Sequence, residues 1–421
     1  MENTEVDTHV NANVDTNVDT QVGHLDTPTD ALSVAYEDYD SGRDLNETKI
    51  YPQGRIFPMM GYSGDFDQDK ARGFTVAGHA YSKQSGQLVI LNNAMTAGQS
   101  YVYGVGLDGT FIDKTIKVPT QAVLKKTIMD QVKKVAALDV CWWYVKPEEL
   151  RYWMGNELTY LRVVTDAIRE ADPLKRPIMM YEPNHRNASA LVKTCKYQDI
   201  VGKGTYVNWW GVQNNRVWVR WSIEQEVNAI NQLNKLDTVN RIPISVLQMS
   251  ADPAKTYDSV IPRWIRHDCY LSLLCGAKGI MIWSLAHRAS LTRTYNTHYN
   301  TYATIATELT GSLGLGQVFL FGKEINTIAC TQTSGATTAS VVMDKVTTTH
   351  QVLTVKTYCF RKNLYFFATN SSNGNLVFTI NNLTSSNAYT TLFSNVTIKA
   401  SGQKKVVTMP SWGALCLKIT T

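Results

Sequence analysis

The chain has 421 residues, of which 44% are hydrophobic and 18% charged, so it can bury a sizeable core and has the length of two domains. No apolar run reaches the roughly 18 residues of a transmembrane helix, which predicts that the chain does not span a membrane. The first residues, Met-Glu-Asn-Thr-Glu-Val-Asp, lack the positive region and apolar core of a secretory signal. A cytoplasmic or particle-associated protein is therefore expected unless a signal has been removed.

Charge is unevenly distributed along the chain. The first 42 residues hold ten acidic residues and no Lys or Arg, so the remainder carries 41 basic against 26 acidic residues, a balance of +15. That balance favours an anionic partner such as a sulfated or carboxylated glycan, although solubility alone explains most surfaces of this kind. A nucleic-acid partner is not expected.

The amino-terminal segment, residues 1–45, is predicted to be an acidic, low-complexity leader. Val-Asp-Thr recurs at positions 6, 14 and 18, and Asn, Thr and Asp dominate the first 30 residues. Such a segment has too little apolar surface to offset the entropy of folding. Two interpretations stay open: a disordered tail, or a peptide that docks into a larger assembly and becomes ordered there.

Residues 46–315 alternate between strand-like and helix-like patterns. Helices are predicted at 119–135, 157–171, 187–196, 223–236 and 259–275. Eight strands are predicted at 55–62, 73–79, 87–92, 135–145, 176–181, 199–206, 244–248 and 279–283. This number and spacing indicate a (β/α)8 TIM barrel, whose usual size is ~250 residues. A doubly wound open sheet is the competing fold, but no Gly-x-Gly-x-x-Gly follows the first strand.

The fourth strand and the loop after it form the central stretch of the barrel. Residues 135–145 are almost continuously apolar, as in a strand buried on both faces, and Pro147 ends the run. A helix follows, with apolar side chains on one stripe and with Glu157 and Asp166 predicted to face water. Glu148 and Glu149 then lie just past the carboxyl end of the strand, where barrels of this kind bind ligands and carry out chemistry.

Residues 316–421 are predicted to form a small antiparallel β-sandwich. Runs at 352–360, 363–368, 376–380 and 406–409 read as strands, and Ser-Ser-Asn-Gly at 371–374 is read as a hairpin signal between two of them. The favoured role of this region is structural support of the barrel, with sugar binding as the alternative.

The predicted strand ends bring aromatic, acidic and amide side chains to one face of the barrel. Flat aromatic rings cover the apolar faces of sugar rings, and polar groups form hydrogen bonds with the sugar hydroxyls. We therefore expect a carbohydrate site. Glu148, Glu149 and Glu182 are the catalytic candidates, since glycoside hydrolysis needs two carboxylates. The substrate-binding candidates are Tyr62, His79, Asn92, Trp143, Tyr181, His185, Arg186, Tyr206, Trp209, Trp210, Gln248, Trp283 and His287.

Metal and cofactor chemistry is not expected. The histidines at 79, 185 and 287 are scattered, and the seven cysteines have neither a disulfide framework nor metal-ligand spacing. A serine nucleophile is not expected either, because no Gly-x-Ser-x-Gly elbow occurs.

Three motifs carry a resemblance to a known group of enzymes. They are Trp-Trp-Tyr-Val-Lys-Pro-Glu-Glu-Leu-Arg-Tyr-Trp, Arg-Pro-Ile-Met-Met-Tyr-Glu-Pro-Asn-His-Arg-Asn and Gly-Ala-Lys-Gly-Ile-Met-Ile-Trp-Ser. Together they resemble the (β/α)8-barrel glycoside hydrolases with a carboxy-terminal β-sandwich, over roughly residues 50–421. The resemblance implies an acid/base glutamate after the fourth strand, at Glu148 or Glu149.

The sequence departs from this group after the seventh strand. Where those enzymes have a nucleophilic glutamate, this chain reads Val-Leu-Gln-Met-Ser, with Gln248 near the expected position. Two alternatives stay open. Either Glu182 supplies the second carboxylate of a hydrolase that acts on a poly- or oligosaccharide, or the chain is a degenerate relative. In the second case it is a non-catalytic glycan-binding or structural protein, for example a component of a larger particle.

Overall fold

Eight parallel strands close into a barrel in the order of the chain. The computed structural model describes residues 57–62, 65–78, 84–108, 118–209, 211–326, 328–381, 383, 388–401 and 404–420. The first strand pairs with the second and also with the eighth, which closes the sheet and confirms the predicted TIM barrel. The strands are β1 (Met59–Gly61), β2 (Val76–Ala77), β3 (Ser100–Gly106), β4 (Val140–Lys146), β5 (Ile178–Glu182), β6 (Ile200–Gly204), β7 (Ile242–Gln248) and β8 (Ile280–Trp283).

Helices alternate with these strands and cover the outside of the barrel. They are α1 (Phe66–Ala71), α2 (Gln84–Thr96), α3 (Gln121–Val135), α4 (Gly155–Ala171), α5 (Ala188–Cys195), α6 (Val217–Leu233), α7 (Ile261–Leu274), α8 (Tyr295–Thr310) and α9 (Leu315–Phe321). The five predicted helices are confirmed as α3 to α7, although α6 begins earlier than expected. Within the described ranges, no helix has both the length and the apolar character needed to cross a membrane.

The predicted third strand, at residues 87–92, is wrong. These residues lie in α2, and the third strand is β3, eight residues further along the chain. The buried positions Gln87, Leu91 and Ala94 recur at helical spacing, with exposed residues between them. A short apolar run such as Leu-Val-Ile-Leu does not by itself distinguish a buried strand from a helix.

The expectation that Glu157 faces water is also wrong. Its side chain is 2% exposed and forms an ion pair with Arg151, whose Nε donates to Glu157 Oε1 at 2.6 Å. The backbone N of Arg151 donates to the other carboxylate oxygen at 2.5 Å. The first turn of α4 therefore fastens the loop after β4, whereas Asp166 is exposed as predicted.

The carboxy-terminal strands form antiparallel sheets, as the predicted β-sandwich requires. The strands are β9 (Lys323–Ile325), β10 (Cys330–Ser334), β11 (Thr338–Met343), β12 (Val346–Gln351), β13 (Leu353–Phe360), β14 (Asn363–Asn370), β15 (Leu376–Ile380), β16 (Ala388–Ser394), β17 (Thr397–Ser401), β18 (Lys404–Met409) and β19 (Ala414–Thr420). One sheet has four strands in the order β10-β15-β18-β17, one has five in the order β16-β19-β14-β13-β9, and β11 pairs with β12.

The segment 371–374 is not the hairpin turn that was predicted. It joins β14 to β15, and these two strands belong to different sheets. Asn370 shapes the crossover, because its side-chain amide donates to the carbonyl oxygens of Gly374 and Pro410 at 2.8 Å each. Local turn residues indicated a change of direction, but the partner strand was decided by the packing of the two sheets.

The barrel and the antiparallel sheets share a continuous core. The ring of Tyr270 on α7 lies 4.3 Å from the ring of Phe393 and 6.2 Å from that of Phe367. On the same helix, His267 Nε2 lies 2.9 Å from Ser371 Oγ in the crossover between the sheets. The predicted domain boundaries at 45 and 315 stay predictions, and the acidic leader lies outside the described residues.

Candidate functional site

Strand β4 presents every second side chain to the barrel interior. Trp142 and Tyr144 belong to the cluster of side chains that fills the barrel, whereas Trp143 and Val145 pack outward against the helices. This alternation is the two-residue period of a pleated strand. The same alternation, continued through the last strand residue Lys146 into the loop, brings Lys146 and then Glu148 to the carboxyl-terminal face of the barrel.

Glu148 lies in a largely enclosed, polar setting at that face. Only 8% of Glu148 is exposed, and the Tyr144 hydroxyl donates a hydrogen bond to its Oε2. Burial lowers the pKa of Lys146, and the carboxylates of Asp108 and Glu148 oppose that shift. Burial and the charge of Glu148 raise the pKa of Tyr62, which is hydrogen-bonded with Tyr144.

Glu149 has a different environment although it is the next residue. It is half-buried, and burial raises the pKa of its carboxyl, with Arg186 lowering it and Glu182 raising it. Its backbone has a φ of 57°, an uncommon conformation for a residue with a side chain, and residues of this kind cluster at functional sites. Arg186 holds this turn by donating to the carbonyl oxygens of Glu149 at 3.1 Å and Leu150 at 2.6 Å.

Three aromatic rings stack beside the two carboxyl groups. The Tyr206 ring lies 5.9 Å from Tyr181, at 16°, and 5.9 Å from Trp283, at 27°. The guanidinium of Arg288 lies 4.7 Å from the Trp283 ring centre. Burial raises the pKa of the Tyr206 hydroxyl, and Tyr181, Glu148 and Glu149 raise it further. The charges of both carboxyl groups therefore act on the Tyr206 hydroxyl. We call Tyr181, Tyr206 and Trp283 the aromatic row.

Glu182 lies outside the barrel interior, between β5 and α5. It is fully buried, forms an ion pair with Arg186, and accepts a hydrogen bond from Gln198 Nε2 at 2.6 Å. Its neighbour Tyr181 points into the barrel, and adjacent residues of a strand face opposite sides. This setting favours a structural role for Glu182, because its carboxylate is buried and forms an ion pair with Arg186. Glu182 instead holds Arg186, which fixes the turn at Glu149.

Gln248 occupies the position where the resemblance implies a nucleophilic glutamate. Its Oε1 accepts hydrogen bonds from the backbone N of Asn208 and of Trp209, both at 3.0 Å. The side chain therefore fastens the loop between β6 and α6. That loop presents Trp209, which is 69% exposed, to solvent.

Two other predicted binding residues lie away from the strand ends. Trp143 is fully buried on the outer face of β4, and its Nε1 donates to Asp172 Oδ2 at 2.8 Å. Asn92 is exposed near the end of α2, because the predicted third strand is helical and barrel helices run back from the carboxyl-terminal face. The structure does not bring these two side chains together with Glu148.

The predicted histidines have separate environments. His185 is exposed, and its pKa is lowered by partial burial and by Arg186 and Lys203. His287 is exposed and stacks on Tyr295 at 3.5 Å. His79 and Trp210 lie outside the described residues. Over the part of the chain that the structure describes, no three His, Cys, Asp or Glu side chains form a group that could hold a metal ion.

The sequence-based candidates did not include Tyr144, Lys146 or Arg288. For the first two a signal was present, since Trp142, Tyr144, Lys146 and Glu148 occupy every second position of a strand followed by its loop. A lysine at an inward position of an otherwise apolar strand is costly to bury without partners, and it therefore marks a polar site. Arg288 follows the predicted eighth strand, and this position places it at the same face of the barrel.

The fold has counterparts among known structures. No protein-family model and no curated protein matches the chain. An alpha-amylase from Geobacillus thermoleovorans complexed with acarbose has a TM-score of 0.50 and 9% identity, covering 87% of this chain and 97% of that chain. A GH30 endoxylanase from Clostridium papyrosolvens has a TM-score of 0.49 and 10% identity, covering 87% and 97%. A GH30 xylanase from Clostridium acetobutylicum has a TM-score of 0.49 and 12% identity, covering 87% and 96%. The similarity to the amylase concerns the fold of the chain.

Proposed function

We propose that the protein is a glycoside hydrolase that acts on a poly- or oligosaccharide with Glu149 as proton donor and Glu148 as the ionised partner. The observation that carries this proposal is the contrast between two adjacent carboxyl groups at the end of β4. Burial raises the pKa of Glu149, whereas Glu148 accepts the Tyr144 hydroxyl and lies near the Lys146 cation. Two carboxyl groups whose environments differ in this way suit an acid and its charged counterpart.

Each group then has a defined chemical task. Glu149 donates its proton to the oxygen of the leaving sugar as the glycosidic bond breaks. Glu148 stabilises the positive charge that develops on the anomeric carbon, either by attacking that carbon or by activating a water molecule. Arg186 keeps the Glu149 turn in place through its two backbone hydrogen bonds.

The aromatic row and Trp209 are proposed to bind the sugar chain. Tyr206 and Trp283 are half-buried, so each ring keeps an accessible part at the barrel face, and Trp209 is largely exposed on the next loop. Aromatic surfaces of this kind cover the apolar faces of pyranose rings. An anionic glycan remains the alternative to a neutral one, supported by the positive balance of residues 43–421.

Gln248 supports a second candidate function, a non-catalytic glycan-binding protein. A carboxylate is missing where the resemblance implies a nucleophile, and the amide oxygen present there is engaged by two backbone N–H groups. Such a protein would bind the same carbohydrates through the aromatic row without cleaving them.

The test compares wild type, Glu148→Gln and Glu149→Gln on soluble polysaccharides and on 4-nitrophenyl glycosides, with a glycan array for binding. Glu170→Gln on the exposed face of α4 is the matched control. Loss of the proton donor should reduce polysaccharide turnover by about 10²- to 10⁴-fold. It should spare 4-nitrophenyl substrates, whose leaving group needs little protonation.

Two results would change the assignment. Full turnover in both Glu148→Gln and Glu149→Gln would show that these carboxyl groups are not the catalytic pair. Binding by wild type without any cleavage across the panel would establish the non-catalytic function instead.

A further inference from the structure

A fully buried lysine lies between the barrel and its outer helices. Lys203 is the fourth residue of β6, and 0% of it is exposed. The next residue, Gly204, faces the barrel interior, where an added Cβ would meet the hydroxyl of Tyr181. Because adjacent residues of a strand face opposite sides, the side chain of Lys203 points outward, towards α6. Its Nζ lies 4.8 Å from the ring centre of Trp221 on that helix.

The amine of Lys203 has two uncharged hydrogen-bond acceptors. It donates to the backbone oxygen of Asn184 at 2.7 Å and to Ser222 Oγ at 2.6 Å. The Ser222 hydroxyl donates in turn to the backbone oxygen of Gly204 at 2.9 Å. An amine that loses its charge keeps two N–H groups, so both hydrogen bonds persist in either protonation state.

The charged groups around Lys203 come from β5, from the loop after it and from α6. Burial lowers the pKa of the amine to about 7, and the carboxylates of Glu226 and Glu182 oppose that shift, whereas Arg186 adds to it. Glu226 is itself fully buried, and its Oε1 accepts from the backbone N of Ile244 at 3.1 Å. An apolar side chain in place of the lysine would avoid the cost of burying a charge. Packing alone therefore does not account for a lysine at this position.

Asn184 connects the buried amine to the aromatic row. Its backbone oxygen accepts from Lys203, and its side-chain Oδ1 accepts from the backbone N of Tyr206 at 3.0 Å. The same Oδ1 accepts from Trp218 Nε1 on α6 at 3.2 Å. Asn184 is 6% exposed, so these contacts are shielded from water. One buried residue thus joins the lysine to the backbone that carries the middle ring of the row.

The loop that contains Asn184 also supports the proposed proton donor. This loop, residues 183–187, joins β5 to α5. Arg186, two residues after Asn184, donates to the backbone oxygen of Glu149 at 3.1 Å. Lys203 therefore contacts the loop that holds the Glu149 turn on one side and the backbone of the aromatic row on the other.

We infer that Lys203 is a positioning residue, whose amine fixes the loop 183–187 and through it the relative positions of Glu149 and Tyr206. A proton donor must lie close to the leaving oxygen of a sugar that the aromatic row binds. A displacement of about 1 Å at such a site can reduce the rate about 10²-fold. This role of Lys203 rests on the proposed carbohydrate function.

The test uses Lys203→Met, Glu226→Gln and the double variant Lys203→Met/Glu226→Gln in the full chain. Methionine has a similar length but no donor. In the double variant the carboxylate that opposes the loss of the Lys203 charge is removed as well, so thermal stability lost in Lys203→Met should be recovered. Glutamine keeps an oxygen for the backbone N of Ile244. Lys235→Met, at an exposed position just after α6, is the matched control.

The first measurement compares kcat and KM on a soluble polysaccharide and on a 4-nitrophenyl glycoside. The double variant should lose about 10- to 100-fold in kcat on the polysaccharide, because the proton donor is misplaced. Its kcat on the 4-nitrophenyl glycoside should fall by less than about threefold, since that leaving group needs little protonation. Glu226→Gln and Lys235→Met should stay within about twofold of wild type on both substrates.

The second measurement is hydrogen–deuterium exchange of the folded variants, followed by mass spectrometry. Backbone amides at 149–151 and 206–209 should exchange about tenfold faster in the double variant than in Glu226→Gln, as expected for the loss of one hydrogen bond to a charged group. Amides of β3 and β4 should exchange as in wild type. This comparison needs no substrate, so it reports on the positions of the two segments directly.

The outcomes separate the role of Lys203 from the proposed function. Recovered stability together with wild-type kcat and wild-type exchange in the double variant would overturn the positioning role, because the lysine would then only balance charge. An equal loss of kcat on both substrates would also overturn it, since the proton donor would not be selectively affected. If wild type binds polysaccharide without cleaving it, the affinity should fall about tenfold in the double variant, and an unchanged affinity would overturn the role. If wild type neither binds nor cleaves, the proposed function fails, and unchanged exchange at 149–151 and 206–209 would overturn the role of Lys203 as well, whereas faster exchange there would support it.

Discussion

The substitution Glu182→Gln tests whether the carboxylate at the end of the fifth strand is structural or catalytic. Glu182 and its partner Arg186 are 0% and 2% exposed, so neither charge is stabilised by water in the folded protein. The carboxylate accepts from Arg186 at one oxygen and from Gln198 at the other. A glutamine amide has only one oxygen, and it can serve only one of these two buried donors.

The expected cost follows from leaving a buried cation without its counter-charge. Removing one partner of such a pair costs about 3–5 kcal/mol. Because glutamine still accepts one hydrogen bond, we expect a loss near the lower end, about 3 kcal/mol. The measurement is equilibrium unfolding in guanidinium chloride at pH 7, followed by tryptophan fluorescence.

A double-mutant cycle identifies the ion pair as the cause. Adding Arg186→Met removes the unpaired charge, so the double variant should be more stable than the sum of the single losses predicts, by about 1–3 kcal/mol. Glu170→Gln breaks an exposed pair with Lys125 and should change stability by less than about 1 kcal/mol. Wild-type stability in Glu182→Gln, with polysaccharide turnover lost, would refute this reasoning and make Glu182 a catalytic carboxylate.

Further predictions concern other parts of the barrel. Trp143→Ala should cost about 3–5 kcal/mol in unfolding free energy with little effect on sugar affinity, and the reverse pattern would place the ring in the site. Gln248→Ala should loosen the β6–α6 loop and raise the KM for polysaccharide. Gln248→Glu keeps the accepting oxygen and should leave the KM unchanged, so equal KM values in the two variants would contradict this prediction. Burial lowers the pKa of His267, with Asp268 opposing the shift, so its contribution to stability is complete above about pH 6.5 and is lost as the pH falls towards its folded-state pKa. His267→Gln should reduce the acid-induced loss of unfolding free energy, and an unchanged slope between about pH 7 and 5 would count against it. In the pH profile of kcat, Glu149→Gln should remove the alkaline limb, and a retained limb would assign the acid elsewhere.

The sequence determined the fold class and the location of the central loop. The number and length of the strand-like and helix-like runs predict a barrel. The long apolar run that ends at Pro147 identifies β4 without reference to any other part of the chain. The two-residue alternation through Tyr144, Lys146 and Glu148 also marks one side of that strand. These features depend on neighbours in the chain, so they can be read locally.

Only the tertiary structure decided which side of each strand faces the interior. Alternation predicts that Tyr181 and Glu182 face opposite ways, but closure of the sheet determined that the tyrosine points inward and that the glutamate meets Arg186 of the following loop. The same holds for Glu157, which found Arg151 instead of water, and for residues 87–92, whose apolar run suits a buried helix as well as a strand. Each of these outcomes depends on a neighbour that only packing brings close. For the two glutamates that neighbour is an arginine, because a charge buried without a partner costs folding free energy.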